Sequence, residues 1–399
     1  MVIDIFDQRT SDIIESGDDP NISPVEFSAK LSIYNGYCGY LLFFIDCSHA
    51  DCWDPFLAER IDKCIETGMG IVTQLKLRLR SGIGSLLTGY SGISYCCLRY
   101  WQKNRNDQYL NHALSIISES ASDQTVCASE HMVGLSGLLS LVCYCYKETE
   151  IDCLTEIAES IADRIVNAKI PYSNGYVWDF SRNHIRPLCG YAHGVSGIAH
   201  ALSMASNVCH RDDYKEVADT AIAYEDSQFS LEKKNWPNWL FVFENYKEVM
   251  ERISAYLNRE YHVVERPSYM YAWCHGGVGI VQQRSEMYKV WPGTAWKENY
   301  SIAIDAIISY VKDQSWDINN SGICHGLGGI IDMLVSLNHN SLYSIDQETS
   351  SYLTNQVQRI ISDIDRPSLE SGLFNGTVGL LWAILRATNP NNIHSILVL

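Results

Sequence analysis

The 399-residue chain has 46% hydrophobic and 19% charged residues, which is enough apolar material for a large core and too little charge for a disordered protein. Its formal net charge is −17 and its 30 lysines and arginines are spread thinly, which argues against a nucleic-acid-binding protein because phosphate contacts need a basic surface. A cationic peptide partner suits this charge better.

The N-terminal segment, residues 1–30, is acidic and lacks the basic and apolar regions of a signal peptide. No apolar run approaches the roughly 18 residues that a membrane-spanning helix needs, so we expect no stable membrane insertion and a cytoplasmic location. Thiols stay reduced in the cytoplasm. We therefore expect most of the fourteen cysteines to be buried side chains rather than members of a disulfide framework.

A Gly-x-x-Gly pair followed by an apolar run recurs seven times along the chain. The pairs contain fourteen of the 26 glycines: Gly36/Gly39, Gly89/Gly92, Gly134/Gly137, Gly194/Gly197, Gly276/Gly279, Gly326/Gly329 and Gly376/Gly379. Each apolar run is about two to three helical turns long. Glycine at a helix start permits a positive φ or a close approach of neighbouring backbones. The pattern therefore predicts seven helix starts that converge around one axis.

Amphipathic segments lie between the glycine pairs, with apolar residues at three-to-four spacing and charges opposite. They are residues 107–120, 151–168, 214–224, 296–313 and 349–364. Strand-like alternation is scarce. We therefore predict an all-α fold, an α/α toroid or double barrel of seven inner and seven outer helices, as a single domain over residues 1–399. An open helical solenoid would show the same local pattern, but closure would bring functional residues of distant repeats together.

The interval between the fourth and fifth glycine pairs is longer than the others. It spans 82 residues from Gly194 to Gly276 and contains the aromatic-rich stretch WPNWLFVFENYKEV. Insertions in repeat folds lie on one face, often the binding face. We therefore expect an insertion over residues 225–270, which is either part of a binding face or a surface excursion with its own small apolar cluster.

Three helix starts carry chemistry besides glycine. Their sequences are YAHGVSG at 191–197, AWCHGGVG at 272–279 and ICHGLGG at 323–329. In a closed toroid these starts share one end of the central cavity, so that Cys274, Cys324 and His325 can meet. Two thiolates and one imidazole make a suitable tetrahedral zinc set and leave a fourth position open for water or substrate. The sequence therefore predicts a catalytic Zn²⁺ site.

Two further histidines are candidates for proton transfer. His193 precedes Gly194 as His325 precedes Gly326, so its side chain is expected in the cavity, where an imidazole can act as acid or base near neutral pH. His275 is either a group that supports the metal ligands or another proton carrier.

The seven glycine pairs, together with AHGVSGIAHAL, AWCHGGVGI and ICHGLGG in this order, resemble the lanthionine synthetase C-like cyclases over nearly the whole chain. The resemblance implies a zinc-dependent lanthipeptide cyclase. Such an enzyme forms lanthionine or methyllanthionine thioether rings by Michael addition of peptide cysteine thiolates to dehydroalanine or dehydrobutyrine. The implied partner is a dehydrated precursor peptide with its leader.

Details of the motifs refine this resemblance. The stretch AWCHGGVGIVQQR, which includes Arg284, looks more like the cyclase domain of bifunctional class II synthetases than like stand-alone class I cyclases. No stretch is long enough for a dehydratase domain, so a separate dehydratase is expected to act first. Glu130 stands where many members have an aspartate, and Met270 stands where class I members have an arginine. Glu130 and Arg284 join the two histidines as candidate catalytic residues by this resemblance.

Two other classes of protein remain open at this point. One is a zinc-containing protein that binds glutathione or a peptide thiol without cyclase activity. The other is a different enzyme on a similar barrel, such as a prenyltransferase-like zinc enzyme or an α/α-toroid glycosidase. The first of these enzymes needs a carboxylate among its zinc ligands and the second needs paired carboxylates in the cavity, and neither pattern is evident at the helix starts.

Overall fold

The computed structural model of the protein describes residues 1–19, 21–50, 53–74, 84–124, 126, 128–173, 175–178, 186–239, 247, 250–251, 254–255, 258, 267–291 and 297–399. In chain order, its helices are α1 (Val2–Asp18), α2 (Pro24–Leu31), α3 (Tyr37–Ser48), α4 (Pro55–Gln74), α5 (Ser91–Asn104), α6 (Asp107–Ser122), α7 (Leu135–Thr149), α8 (Cys153–Asn167), α9 (Val195–Cys209), α10 (Asp212–Ser227), α11 (Gly277–Val290), α12 (Glu298–Asp313), α13 (Leu327–His339), α14 (Gln347–Ser362), α15 (Arg366–Glu370), α16 (Gly372–Asn375) and α17 (Thr377–Thr388). A two-stranded antiparallel hairpin, β1 (Ile170–Tyr172) and β2 (Gly175–Val177), follows α8.

Two kinds of helix alternate along the chain, and burial distinguishes them. The helices that follow the glycine pairs are buried nearly all round, and every residue of α3 is buried. The helices between them bury one face; α8, for example, buries Leu154, Ala158, Ile161, Ala162 and Ile165. A helix that is apolar all round belongs in the interior, and an amphipathic helix belongs on the outside.

Hydrogen bonds link the start of each inner helix to the next around a ring. In ring order they are Tyr34 N to Leu87 O, Thr88 Oγ1 to Met132 O, His131 N to Ala192 O, Ala192 N to Cys274 O, Trp273 N to Cys324 O, Cys324 N to Phe374 O and Phe374 N to Tyr34 O, at 3.0–3.3 Å. The last bond returns to the first repeat. Inner helices α3, α5, α7, α9, α11, α13 and α17 pack as neighbours in the same cyclic order. The predicted α/α toroid is confirmed.

The outer layer consists of α1, α4, α6, α8, α10, α12 and α14. All five amphipathic segments predicted between the glycine pairs are helices of this layer. The predicted N-terminal segment contains α1 and α2, and α1 packs on α3 and α4 as an outer helix. Among the described residues, no helix has the length and apolar character needed to cross a bilayer.

Close backbone approach accounts for most of the paired glycines. A Cβ at the second glycine of six pairs would lie 2.1–2.4 Å from a backbone carbonyl oxygen, as at Gly279 against Trp273 O. Among the fourteen paired glycines, all of them described, Gly276 is the one with a positive φ, at 92°. A side chain there would also meet Met270 O at 1.9 Å. Glycine is therefore required at this start by both effects.

The segment after α17 turns back into the ring and fills its axis. Ile393, Ile396 and Leu397 are fully buried. Leu397 O accepts a hydrogen bond from Trp273 Nε1 at 2.8 Å, so this segment reaches the residue that precedes Cys274.

The expected insertion at 225–270 begins within α10. Isolated bridges join Ser230 to Asn235 and Asn238 to Ser268. Residues 240–246, 248–249, 252–253, 256–257 and 259–266 lie outside the described residues, and with them most of the aromatic-rich stretch. The side chain of Asn235 connects the described part to the toroid, since its Oδ1 accepts hydrogen bonds from Gly277 N at 2.7 Å and Trp236 N at 2.8 Å.

Twelve of the fourteen cysteines lie in the part of the chain that the structure describes. Of the twelve described thiols, ten are buried, and Cys153 and Cys209 are more accessible. Cys96, Cys97, Cys143 and Cys145 lie in the hydrophobic core, as predicted. Their burial raises the pKa of each of these thiols, which keeps them protonated and unreactive.

Candidate functional site

Cys274, Cys324 and His325 come together at the starts of α11 and α13. The sequence separates the two thiols by 50 residues, but each lies two positions before a helix-capping glycine of adjacent repeats. The ring of hydrogen bonds passes through backbone atoms of both cysteines, at Cys274 O and at Cys324 N and O. The backbone of the toroid therefore fixes where these side chains begin.

The ligand atoms of these three residues lie within 4.8 Å of one another. Nε2 of His325 is 3.1 Å from Sγ of Cys274 and 3.8 Å from Sγ of Cys324. Zinc at its ordinary bond lengths to sulfur and nitrogen would place tetrahedral ligand atoms roughly 3.5–3.8 Å apart. Both cysteines are buried and His325 is exposed, so the cluster is open on one side. The donor set therefore fits a zinc ion with three protein ligands.

The two thiols have opposite electrostatic character. Burial disfavours ionisation of Cys324, but hydrogen bonds from Cys274 and His325 outweigh it and lower the pKa of the Cys324 thiol to about 5. Hydrogen bonding to Cys324, together with burial, raises the pKa of the Cys274 thiol well above its ordinary value. The hydrogen bond to Cys324 raises the pKa of His325. The pocket thus favours a thiolate paired with an imidazolium, a state from which a metal displaces protons.

Tyr34 and Asn375 are neighbours of the cluster that sequence reasoning missed. The hydroxyl of Tyr34 lies 3.2 Å from Sγ of Cys324 and 3.2 Å from Oδ1 of Asn375, so it can donate to either. Tyr34 belongs to the first repeat and Asn375 to the seventh. They reach the sixth repeat because the ring closes. The available signal was their register, since Tyr34 lies two positions before the capping Gly36 and Asn375 one position before the capping Gly376.

His193 and Glu130 form a second pair at the same end of the toroid. Nδ1 of His193 is 2.6 Å from Oε2 of Glu130, and the backbone N–H of Met132 donates to the same oxygen at 3.2 Å. Burial by itself disfavours the imidazolium, but the hydrogen bond and the charge of Glu130 outweigh it and raise the pKa of His193. The side chain of His193 is 35% exposed, so it can exchange a proton with a bound molecule.

His275 lies between the two groups. Its ring stacks on that of His193 with centroids 5.5 Å apart, and its backbone follows Cys274. Burial, reinforced by the nearby His193 and His325, lowers the pKa of His275 to about 3. A neutral imidazole at this position is suited to packing against His193 rather than to donating a proton.

Arg284 lies about two helical turns beyond the start of α11 and is buried. Its guanidinium contacts Oε2 of Glu225 at 2.7 Å, Oδ1 of Asp226 at 3.4 Å and the hydroxyl of Tyr300 at 3.3 Å. The described contacts of Arg284 include neither the cysteines nor the candidate acid–base pair. A direct catalytic role for Arg284 therefore stays a prediction without a contact in its favour.

Similarity to known proteins bears on this arrangement. The profile of the lanthionine synthetase C-like protein family matches residues 28–398. The solved structure of nisin cyclase is similar over 97% of this chain and 94% of its own, with 18% sequence identity and a TM-score of 0.66, which bears on the fold. A GH76A α-1,6-mannanase from Salegentibacter sp. HEL1_6 is similar over 81% of this chain and 98% of its own, at 10% identity, but its TM-score of 0.48 is too low to bear on function. No curated protein sequence matches the chain.

The family profile spans all seven glycine pairs, the three candidate metal ligands and the His193–Glu130 pair. The toroid of this chain closes through hydrogen bonds between its repeats, and its fold is similar to that of nisin cyclase. The chain belongs to the lanthionine synthetase C-like family.

Proposed function

We propose that this protein is a zinc-dependent lanthipeptide cyclase that forms lanthionine and methyllanthionine rings. The observation that carries the proposal is the meeting of Cys274, Cys324 and His325 within 4.8 Å, with an open side, next to the His193–Glu130 pair. Family membership supports the same reaction class. The proposed substrate is a dehydrated precursor peptide with its leader, which requires a separate dehydratase to act first.

Cys274, Cys324 and His325 would hold the metal. When bound, zinc would supply the positive charge that lets a peptide thiol ionise near neutral pH. The two cysteine thiolates would offset this charge, which leaves a substrate sulfur nucleophilic. Tyr34 would limit the negative charge on Cys324 by donating a hydrogen bond to its sulfur.

The proposed reaction is an addition that needs no oxidant or reductant. The substrate sulfur forms a bond to the β-carbon of dehydroalanine or dehydrobutyrine, the carbon–carbon π bond breaks, and the electron pair moves to the α-carbon as an enolate. The proton lost by the thiol is balanced by the proton gained at the α-carbon. Holding thiol and alkene in one cavity would lower the entropic barrier.

His193 is the residue we propose for the proton transfers. Its Nδ1 is held by Glu130, which leaves Nε2 as the nitrogen that can take the thiol proton and return one to the α-carbon. Glu130 raises the pKa of His193, so the imidazolium persists toward neutral pH. His275 supports the ring of His193 by stacking.

The test measures zinc content and loss of free thiol in a dehydrated, cysteine-containing peptide. We expect about one zinc per wild-type chain, and loss of both metal and thiol consumption in Cys274→Ala and in Cys324→Ala. Cys97→Ala is the matched control, because Cys97 is also a fully buried thiol but lies within α5 in the hydrophobic core. It should keep both properties.

Two results would contradict the proposal. Zinc binding without thiol consumption, with a peptide that a known cyclase accepts, would favour a protein that binds glutathione or a peptide thiol. Thiol consumption by a metal-free wild type would exclude the zinc mechanism.

A further inference from the structure

Glu225, near the end of α10, holds both ends of the segment that carries His193. Its Oε1 accepts a hydrogen bond from Gly190 N at 2.8 Å, and its Oε2 accepts one from Ser196 Oγ at 2.5 Å. His193 lies midway between these two points. The carboxylate is fully buried, so these contacts are shielded from water. One side chain therefore spans the seven-residue segment at whose centre the proposed acid–base residue lies.

Arg284 neutralises this carboxylate from α11. Its Nη2 lies 2.7 Å from Oε2 of Glu225, and the Arg284 side chain is 3% exposed. The guanidinium is fixed in turn by Asp226 and by the hydroxyl of Tyr300. Burial alone would disfavour the charged guanidinium, but Tyr300, Asp226 and Glu225 outweigh it and raise the pKa of Arg284. Burial raises the pKa of Glu225, and the charge of Arg284, on the helix that follows Cys274, opposes this shift.

The clamped segment rests directly on the backbone of Cys274. Gly190 has φ = 111°, and a Cβ there would lie 2.6 Å from Cys274 O. Ala192 N donates to the same carbonyl oxygen at 3.3 Å. Displacement of the segment would therefore move His193 relative to both Cys274 and Glu130.

We propose that Glu225 and Arg284 are positioning residues, a buried clamp that fixes His193 against Cys274 and Glu130. This inference rests on the proposed function for its catalytic consequence, whereas the placement of His193 can be measured without it. A buried ion pair adds little stability compared with well-packed apolar side chains, so a role in positioning accounts for the pair better than a role in stability. Arg284 acts through Glu225 rather than on the substrate.

The fold provides a matched control for the clamp. Arg99 and Asp46 form another buried pair between neighbouring inner helices, with Nη2 and Oδ1 2.8 Å apart and side chains 3% and 2% exposed. Its described partners are Gln102, Trp382 and the backbone of Asn392, none of which belongs to the candidate site. Loss of this pair tests the effect of removing a buried ion pair alone.

The test compares Glu225→Leu/Arg284→Met with Asp46→Leu/Arg99→Met. Each double variant removes both charges of its pair, and Asp226 keeps its ion pair with Lys297, so no unpaired charge is left in the interior. For the clamp variant we expect a roughly 100-fold lower kcat for thiol consumption, because misplacement of a catalytic group by about 1 Å has this effect. Its KM for the peptide, zinc content and melting temperature should resemble those of the control variant. The control should keep the wild-type kcat per folded molecule.

A second readout follows the His193 imidazole by NMR in histidine-labelled protein. The groups that face it are Glu130 and His275, with Cys324, His325 and the buried His131 nearby, and all of them are present in both variants. We expect the His193 pKa to fall in the clamp variant, because its contact with Glu130 loosens, and to stay unchanged in the control. If the double variant does not fold, Ser196→Ala removes one contact of Glu225 without removing a charge, and kcat should fall about fivefold.

The outcomes separate this inference from the proposed function. A shifted His193 pKa in a protein that consumes no thiol would uphold the clamp and count against the cyclase. An active clamp variant with an unshifted His193 pKa would overturn the clamp and leave the cyclase intact. Equal losses of kcat in the clamp and control variants would reduce the pair to a structural role and also overturn the inference.

Discussion

The metal ligands and the acid–base pair share one end of the toroid but are held in place by different contacts. The ring of hydrogen bonds that closes the toroid includes backbone atoms of Cys274 and Cys324. The fold itself therefore fixes the position of these metal ligands. His193 and Glu130 meet through side chains across 63 residues, and their geometry depends on charge and on the clamp behind them. We therefore expect metal binding to survive changes that impair proton transfer.

Among changes that affect catalysis or metal binding alone, replacement of His193 is expected to have the largest effect, and that effect is on catalysis and not on metal binding. In His193→Asn, kcat for thiol consumption should fall by about 10²–10⁴-fold, because general acid–base catalysis contributes this much. Zinc content should stay at the wild-type level. The measurements are single-turnover kinetics and metal analysis of the same sample.

His200→Asn is a suitable control for this replacement. His200 is another histidine of the fourth repeat, but it is buried and pairs with Tyr191, its Nδ1 lying 2.7 Å from the hydroxyl. Its effect should be on stability rather than on kcat. A loss of zinc in His193→Asn would show that metal binding depends on the acid–base pair.

Replacement of Glu130 should alter the pH dependence and have a smaller effect on rate. Glu130 raises the pKa of His193, so the imidazolium is present up to a higher pH than for an ordinary histidine. In Glu130→Gln that stabilisation is lost while burial remains, and the His193 pKa should fall. If the imidazolium delivers the proton, the alkaline limb of the kcat profile then moves to lower pH. Above this limb we expect a loss of about 10–100-fold, as for a hydrogen bond to a charged group.

The pH profile of kcat between pH 5 and 9 checks this expectation, with zinc content measured at each pH. His275 faces His193 and the charges of Cys324 and His325 lie nearby, and the variant leaves all three unchanged. An alkaline limb that stays in place would assign it to another group and contradict the role of Glu130.

Tyr34→Phe changes the surroundings of the metal ligands and is expected to have the smallest effect of these variants. It removes one hydroxyl, 3.2 Å from Sγ of Cys324, and keeps the ring that stacks on Phe374. We expect zinc affinity to fall by about 10-fold, at the lower end of the range for groups that support metal ligands. Competition with a chelator measures the affinity. The His193 pKa should not move. A shift in it would show that the metal ligands and the acid–base pair are coupled through Cys324.

Motifs and regular spacing made much of this site predictable. Cys274, Cys324, His325 and His193 all lie at fixed positions before capping glycines, so that a pattern read locally placed them at the same end of a closed ring. Glu225 carries no such mark, and Tyr34 and Asn375, although they lie two and one positions before the capping glycines Gly36 and Gly376, do not indicate a metal site by their residue type. They contact the site from other repeats, and no local rule indicates which polar side chain of a neighbouring repeat will face it.

The sequence by itself determined the helical repeats, because apolar periodicity and paired glycines act within a few residues of the chain. It also determined the chemical type of the ligands, since two thiols and an imidazole suit zinc wherever they meet. Tertiary structure decided the closure of the ring, through the hydrogen bond from Phe374 N to Tyr34 O. It also decided the difference in pKa between the thiols of Cys274 and Cys324, whose local sequences are alike. It also placed Arg284 on Glu225 rather than in the cavity. These properties depend on distances and burial between residues far apart in the chain, which only the folded molecule fixes.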